Sequence, residues 1–227
     1  LNKDLSTQTP SMEIRLMKLI YFEGGRNMNN LIPLILLTFT FGCLQSQDSN
    51  SKSIKREEEI EYSPVIENVH PKAKNILDED FYFSSVDETG PFGSDDAADT
   101  YIGLILWRKN NRNINPEKYL YKHLSEWGYP SFDLLETDIE KLQPYLSQSN
   151  MHFRYLLGTD QAILAIAFGQ LYLEGEIDSE MLTLAEKALQ RHLTPVMLSI
   201  WPEDYQIERK NKLLKMKKVI DKLKNLP

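Results

Sequence analysis

Carboxylates and imidazoles are the side chains of this 227-residue sequence best suited to chemistry. Asp95, Asp96 and Asp99 form an Asp-Asp-x-x-Asp pattern, the kind of oxygen-ligand set that can hold magnesium bridged to a diphosphate. Such a site needs a large helical cavity and a second carboxylate motif facing the first, and the sequence offers neither. The pattern also stands at a helix start, where capping and the helix dipole favour acids, and that reading is preferred. The four histidines, His70, His123, His152 and His192, are far apart and form no His-x-x-x-His ligand pair. No Gly-x-Ser-x-Gly and no glycine-rich phosphate loop occurs, so no catalytic residue, metal ligand or cofactor is assigned. Cys43 is the one cysteine, which excludes an intramolecular disulfide.

The elements that must carry these residues are helical. Ser94 is a good N-cap, followed by Asp95 and Asp96 in the first turn and by Ala98, Ile102, Ile105 and Leu106 at helical spacing. Asn115-Pro116 opens a second helix with the stripe Leu120, His123, Leu124 and Trp127, ended by Gly128-Tyr-Pro130. Ser131 or Asp133 can cap a third, carrying Leu134, Leu135, Ile139 and Leu142 before Pro144. A short helix over 150–157 stops at Gly158. Thr159-Asp160 then opens an apolar helix over 161–173, which is apolar nearly all round and belongs at the centre of a bundle. Asp178-Ser179 and Thr194-Pro195 cap two more, and the last runs from Glu203 to Asn225 with Leu213, Met216, Ile220 and Leu223 at heptad-like spacing. Phe81, Phe83 and Val86 alternate with Tyr82, Ser84 and Ser85, which suggests a short extended arm. The fold class expected is all-α, a compact bundle of about seven helices with that arm at its N-terminal side.

Three segments follow. Leu31 to Gly42 is a run of 12 uncharged, mostly apolar residues, the length of a signal-peptide core and too short for a membrane span. With Gly42-Cys43 and the polar stretch after it, the run resembles a bacterial lipoprotein signal. That resemblance implies cleavage before Cys43, a lipid on its sulfur, and a protein anchored to a membrane of the cell envelope, facing the periplasm or exterior. Residues 1–42 are read as spurious upstream residues plus the signal peptide, with a start at Met12, Met17 or Met28. Residues 43–75 are read as lipidated cysteine and flexible tether, being rich in serine, mixed charge and proline. Residues 76–227 are the helical domain.

Gly90-Pro-Phe-Gly-Ser-Asp-Asp-Ala-Ala-Asp99 resembles the opening signature of the bacterial domain-of-unknown-function family 4259. Ala162-Ile-Leu-Ala165-Ile-Ala167 and Leu184-Ala185…Leu198-Ser-Ile-Trp201 resemble later segments of that family. The Trp-Gly usual before the turn is Asp87-Glu88 here. The resemblance names no reaction.

The net charge of −7 and pI of about 5.2 argue against a nucleic-acid partner. Charge is uneven: residues 43–202 carry −12, and Glu203 to Pro227 carries +4. An acidic body attracts a basic protein, and a basic helix suits anionic lipid headgroups. The expectation is therefore a lipid-anchored binding module, immunity- or inhibitor-like, whose partners are the membrane through Cys43 and a basic protein. The competing class is an envelope enzyme with a site assembled from Asp95, Asp99, His123 and His192.

Overall fold

The computed structural model describes residues 63–225. Cys43, the signal segment and most of the expected tether lie outside the described residues. Seven α-helices are present among the described residues: α1 Asp95–Arg108, α2 Glu117–Glu126, α3 Gln143–Leu146, α4 His152–Glu174, α5 Ser179–His192, α6 Pro195–Ser199 and α7 Glu203–Lys224. No strand occurs among them. The all-α expectation holds.

Local chemistry sets several helix ends. Ser94 Oγ accepts from Ala97 N at 3.2 Å, and Thr194 Oγ1 accepts from Met197 N at 3.4 Å. Asn115 Oδ1 accepts from Glu117 N at 2.9 Å ahead of α2. Gly128, with φ 68°, and Gly175, with φ 76°, supply the left-handed residues after α2 and α4.

Helix α4 is the axis of the fold, and every residue from Leu156 to Tyr172 is buried. It packs on α1 and α5, with α2 and α3 at its flanks, while α5 in turn carries α7. The main core joins Tyr101, Leu104, Leu120, Ile163, Ile166, Phe168, Met181, Leu189, Met216 and Ile220. A second cluster, Leu142, Tyr145, Phe153, Leu157, Met197 and Trp201, closes the end formed by α3, α6 and the start of α4. Burying each large aliphatic or aromatic side chain contributes roughly 1.5–3 kcal/mol before chain entropy is counted. By length and composition α4 could cross a membrane, but 89% of its apolar window is buried by the other helices.

Four local expectations are corrected. Gly158 does not stop a helix: the two helices expected over 150–157 and 161–173 are one, of 23 residues. A Cβ at 158 would lie 2.5 Å from Asp96 Oδ2 and 2.8 Å from Arg154 Nη1, so the glycine is a notch that admits the ion pair joining α1 to α4. The helix expected from Ser131 or Asp133 to Leu142 is a series of turns, and only Gln143–Leu146 is helical. The extended arm is a single 3₁₀ turn, Asp80–Tyr82, in which Phe81 and Tyr82 are both buried and Val86 is exposed. The tether ends earlier than residue 75. Val69, Ala73 and Leu77 are buried in the main core, and Val65 N and O both bond the Tyr172 hydroxyl, at 3.1 and 2.8 Å.

Candidate functional site

A charged pair lies at the centre of the molecule, and Asp160, expected at a helix start, stands well inside α4. Asp160 sits in the apolar run of α4 and Arg191 in the last turn of α5, and both side chains are 0% exposed. Arg191 Nε reaches both carboxylate oxygens at 3.1 Å, and its Nη2 reaches Oδ1 at 2.5 Å. Its remaining nitrogen, Nη1, donates to the carbonyls of Leu134 at 2.8 Å and Glu136 at 2.7 Å. One guanidinium thus neutralises a buried acid and holds an irregular loop 55 residues away in sequence. A fork of fixed donors is suited to this double duty. Burial pushes the Asp160 carboxyl upward from its ordinary value, and Arg191 opposes part of that rise.

His192 continues the network. Arg209 Nη2 donates to His192 Nδ1 at 2.9 Å, so the ring proton belongs on Nε2, which faces Asp160 Oδ2 at 3.5 Å. Burial, with Arg209 and Arg191 beside it, holds His192 well below its ordinary pKa. Arg209 also donates to Thr89 Oγ1 at 3.2 Å and lies 4.0 Å over the Trp201 ring. Thr89 Oγ1 and the Tyr205 hydroxyl share a 2.6 Å hydrogen bond. The network is a neutral imidazole, one acid and two arginines, all fully or almost fully shielded from water. It is built to fix the positions of helices and loops.

What it fixes is accessible. The loop held by Arg191 bears Phe132, Asp133, Leu134, Glu136, Asp138 and Glu140. Asp133 Oδ1 accepts from Leu135 N at 2.9 Å, and Asp138 Oδ1 accepts from Glu140 N at 3.0 Å. The N–H groups of Asp138 and Thr137, with Lys141 nearby, hold the Glu136 carboxyl below its usual range. Asp133, Asp138 and Glu140 are exposed. Beside them lies a groove of about 300 Å³ lined by Tyr121, Leu124, Tyr129, Phe132, Leu134 and Thr159. The volume falls at the lower end of the range for ligand pockets, roughly 300–1,000 Å³.

Aromatic packing stiffens the groove wall. Tyr119, His123, Trp127, Tyr129 and Tyr155 follow one another with centroids 4.1 to 5.2 Å apart. Phe132 packs on Tyr145 at 4.9 Å and has the Arg191 guanidinium 5.5 Å from its centre. Tyr129 also donates its hydroxyl to Asp96 Oδ1 at 3.2 Å. Aromatic walls with few rotatable bonds and hydroxyls at their edges suit a protein-binding surface.

The residues singled out from sequence do not converge. Asp95 and Asp99 are exposed, whereas Asp96 is buried and receives Arg154 Nη2 at 2.9 Å as well as Nη1. Asp96 is therefore an ion-pair partner as well as a first-turn acid. His123 lies between Tyr119 and Trp127 on α2, and burial lowers its pKa. His192 belongs to the network just described. Among the described residues no group of three or more His, Cys, Asp or Glu is placed to share a metal ion. The basic charge of α7 is largely used within the molecule: Lys212 pairs with Asp87 at 2.6 Å, Lys215 with Glu79 and Lys224 with Glu186, each at 2.5 Å.

The Asp160–Arg191 pair left one sequence signal, an acid inside an otherwise apolar helix, which requires a buried partner. The groove left none, because its wall joins α2, the loop after it and one residue of α4. Comparisons with family models, curated proteins and solved structures returned no match to this chain.

Proposed function

We propose that this protein is a lipid-anchored binding module of the bacterial cell envelope that captures a basic protein, in the manner of an immunity protein or inhibitor. The capture surface is the aromatic groove beside Tyr121 and Phe132 together with the acidic loop 133–140. Its expected membership in domain-of-unknown-function family 4259, and lipidation at Cys43, are part of this reading and rest on sequence resemblance.

The observation that carries the proposal is the pair of hydrogen bonds from Arg191 to the Leu134 and Glu136 carbonyls. A mobile acidic loop would have to lose conformational freedom when a partner arrives. Here the loop is already held, and its carboxylates stand beside a preformed apolar groove. Preorganisation of this kind raises affinity by lowering the ordering cost of association. Acidic groups at the rim accelerate encounter with a basic partner, and aromatic groups in the groove provide the contact area. An enzyme built from Asp95, Asp99, His123 and His192 finds less support, since two of these are exposed and His192 is sealed inside.

The test is photo-crosslinking of the full-length protein in its native cells, with a photoreactive residue at Tyr121, at Leu135 or at Val86. A basic protein crosslinked from 121 and 135 but not from 86 is expected. Crosslinking should fall with Asp133→Lys, Asp138→Lys and Glu140→Lys combined, and with rising salt in lysed cells. Equal products from all three positions, or products unaffected by the reversals, would remove the proposal.

A further inference from the structure

Helix α7 has two classes of lysine. Lys212, Lys215, Lys217 and Lys224 are engaged in ion pairs, with Asp87 and Glu208, Glu79, Asp221 and Glu186 respectively. Lys210, Lys218 and Lys222 are exposed and make no ion pair among the described residues. Lys212, Lys215 and Lys224 draw α7 onto an acidic body through Asp87, Glu79 and Glu186, while Lys217 pairs within the helix. The second class is left for something outside the body.

The unpaired lysines share a face with two aliphatic side chains. Ile207 is 72% exposed and Leu214 is 45% exposed, one heptad apart on the side away from the buried Leu213, Met216 and Ile220. Positions 207, 210, 214, 218 and 222 follow at intervals of three and four residues, so they form one outward stripe. At about 1.5 Å per residue the stripe runs roughly 22 Å along the helix. Acids on this side are Glu203 and Asp204 in the first turn, and Asp221, which Lys217 neutralises. From Ile207 onward the outward face is basic and partly apolar, on a chain whose net charge is −7.

We infer that this face of α7 rests on an anionic lipid surface. Lysine stems lie along apolar neighbours while their ammonium groups reach headgroups, and exposed aliphatic side chains between them enter the interface. A second copy of the chain fits poorly, because a two-fold contact through Ile207 and Leu214 would bring the unpaired lysines of both copies together. A basic protein is repelled by the same charges. Three lysines and two aliphatic groups make a weak contact by themselves, and a tether to the same membrane makes weak contact sufficient by raising the effective concentration. The contact would set which way the rest of the body faces. It concerns a surface separate from the groove; it rests on the membrane anchoring in the proposed function and not on the capture of a protein there.

The test uses the full chain with Cys43→Ser, so that a single new cysteine carries an environment-sensitive fluorophore at Leu214 or, as the control, at Val86. The probes are vesicles of phosphatidylcholine alone and vesicles also containing phosphatidylglycerol. Because the apolar segment 31–42 can itself enter either bilayer, the readout is the local environment of the label and not binding. A blue shift at 214 only with the anionic vesicles, none at 86, and loss of the shift in high salt are expected. Lys210→Glu, Lys218→Glu and Lys222→Glu combined should abolish it, the corresponding Arg substitutions should keep it, and circular dichroism should report unchanged helix in both. A label at 214 that stays in water on anionic vesicles, or shifts equally at 86, overturns the inference. So does a concentration-dependent shift without vesicles, which would assign the face to self-association.

Discussion

Two arginines, one at the middle of α4 and one at its C-terminal end, do the same job under different conditions. Arg191 pairs with Asp160 and donates to the carbonyls of Leu134 and Glu136. Arg108 pairs with Glu174 and donates Nη1 to the carbonyls of Asn111, Arg112 and Ile114, at 3.0, 3.3 and 2.5 Å. Each ties an irregular segment to the central helix through one guanidinium. The Arg191 pair is completely dry, while the Arg108 and Glu174 side chains are 10% and 30% exposed. Arg108 ties down the segment directly after its own helix, whereas Arg191 reaches across the sequence. The wet clamp completes a helix end. The dry clamp joins α4, α5 and the groove loop, so its failure should spread further.

Removing each arginine is the strongest way to break that comparison. Arg191→Leu strands a buried carboxylate and two partly buried carbonyls, and should cost about 3–5 kcal/mol. Arg108→Leu should cost less, about 1–3 kcal/mol, because Glu174 can take up water. Denaturant midpoints of the two variants measure the difference, and equal losses would show that dryness is not what separates the clamps. Asp96→Asn extends the series toward a wetter pair. Its pair with Arg154 is 10% and 37% exposed, so a loss of about 1–2 kcal/mol is expected by chemical denaturation.

Acid should discriminate the two clamps without altering either arginine. The native pKa of His192 lies below the unfolded value, so above about pH 6.5 both states are neutral and nothing is lost. Below that pH the unfolded chain binds a proton that native His192 refuses, and stability falls by up to about 1.4 kcal/mol per pH unit. Asp160, with its native pKa raised, acts in the opposite sense: its contribution is present below the unfolded value and is lost as pH rises through the native one. Melting series from pH 7 to pH 5 should show a shallower slope for His192→Gln and the wild-type slope for Arg108→Leu. His123, also lowered by burial, leaves a residual slope in both. The smallest effect belongs to the exposed Asp95. Asp95→Asn should cost about 0.3–1 kcal/mol through the dipole of α1 alone, and a loss as large as that of Asp96→Asn would assign Asp95 a partner.

The parts of the fold legible in the sequence were those governed by neighbours in the chain. Ser94, Asn115, Thr194, Gly128 and Gly175 begin or end helices by contacts within a few residues, and all stand where their residue types suggest. The segment after Ser131 was misread because its apolar spacing is helical. Asp133 and Asp138 spend their side chains on N–H groups two residues on, and Arg191 turns two carbonyls inward. Only the first of these competing bonds is local enough to be seen in a sequence. Gly158 was misread for the same kind of reason, since the pair that needs the notch comes from Asp96, 58 residues before Arg154. The groove depends on that loop and was therefore invisible, while its charge was legible from composition.

The docking of residues 63–77 on the end of α4 has a mechanical consequence. A pull on the chain ahead of Ser63 reaches the body at Val65, whose N–H and carbonyl grip the Tyr172 hydroxyl, and then at His70, whose N–H bonds the Tyr172 carbonyl at 2.8 Å. The His70 ring occupies the space above Gly175 that any side chain at that position would fill. Load thus arrives at one end of the most deeply buried helix, through three hydrogen bonds and a thin strip of apolar packing. Under tension this strip should peel first, and the bundle that carries the groove should remain closed until it is spent.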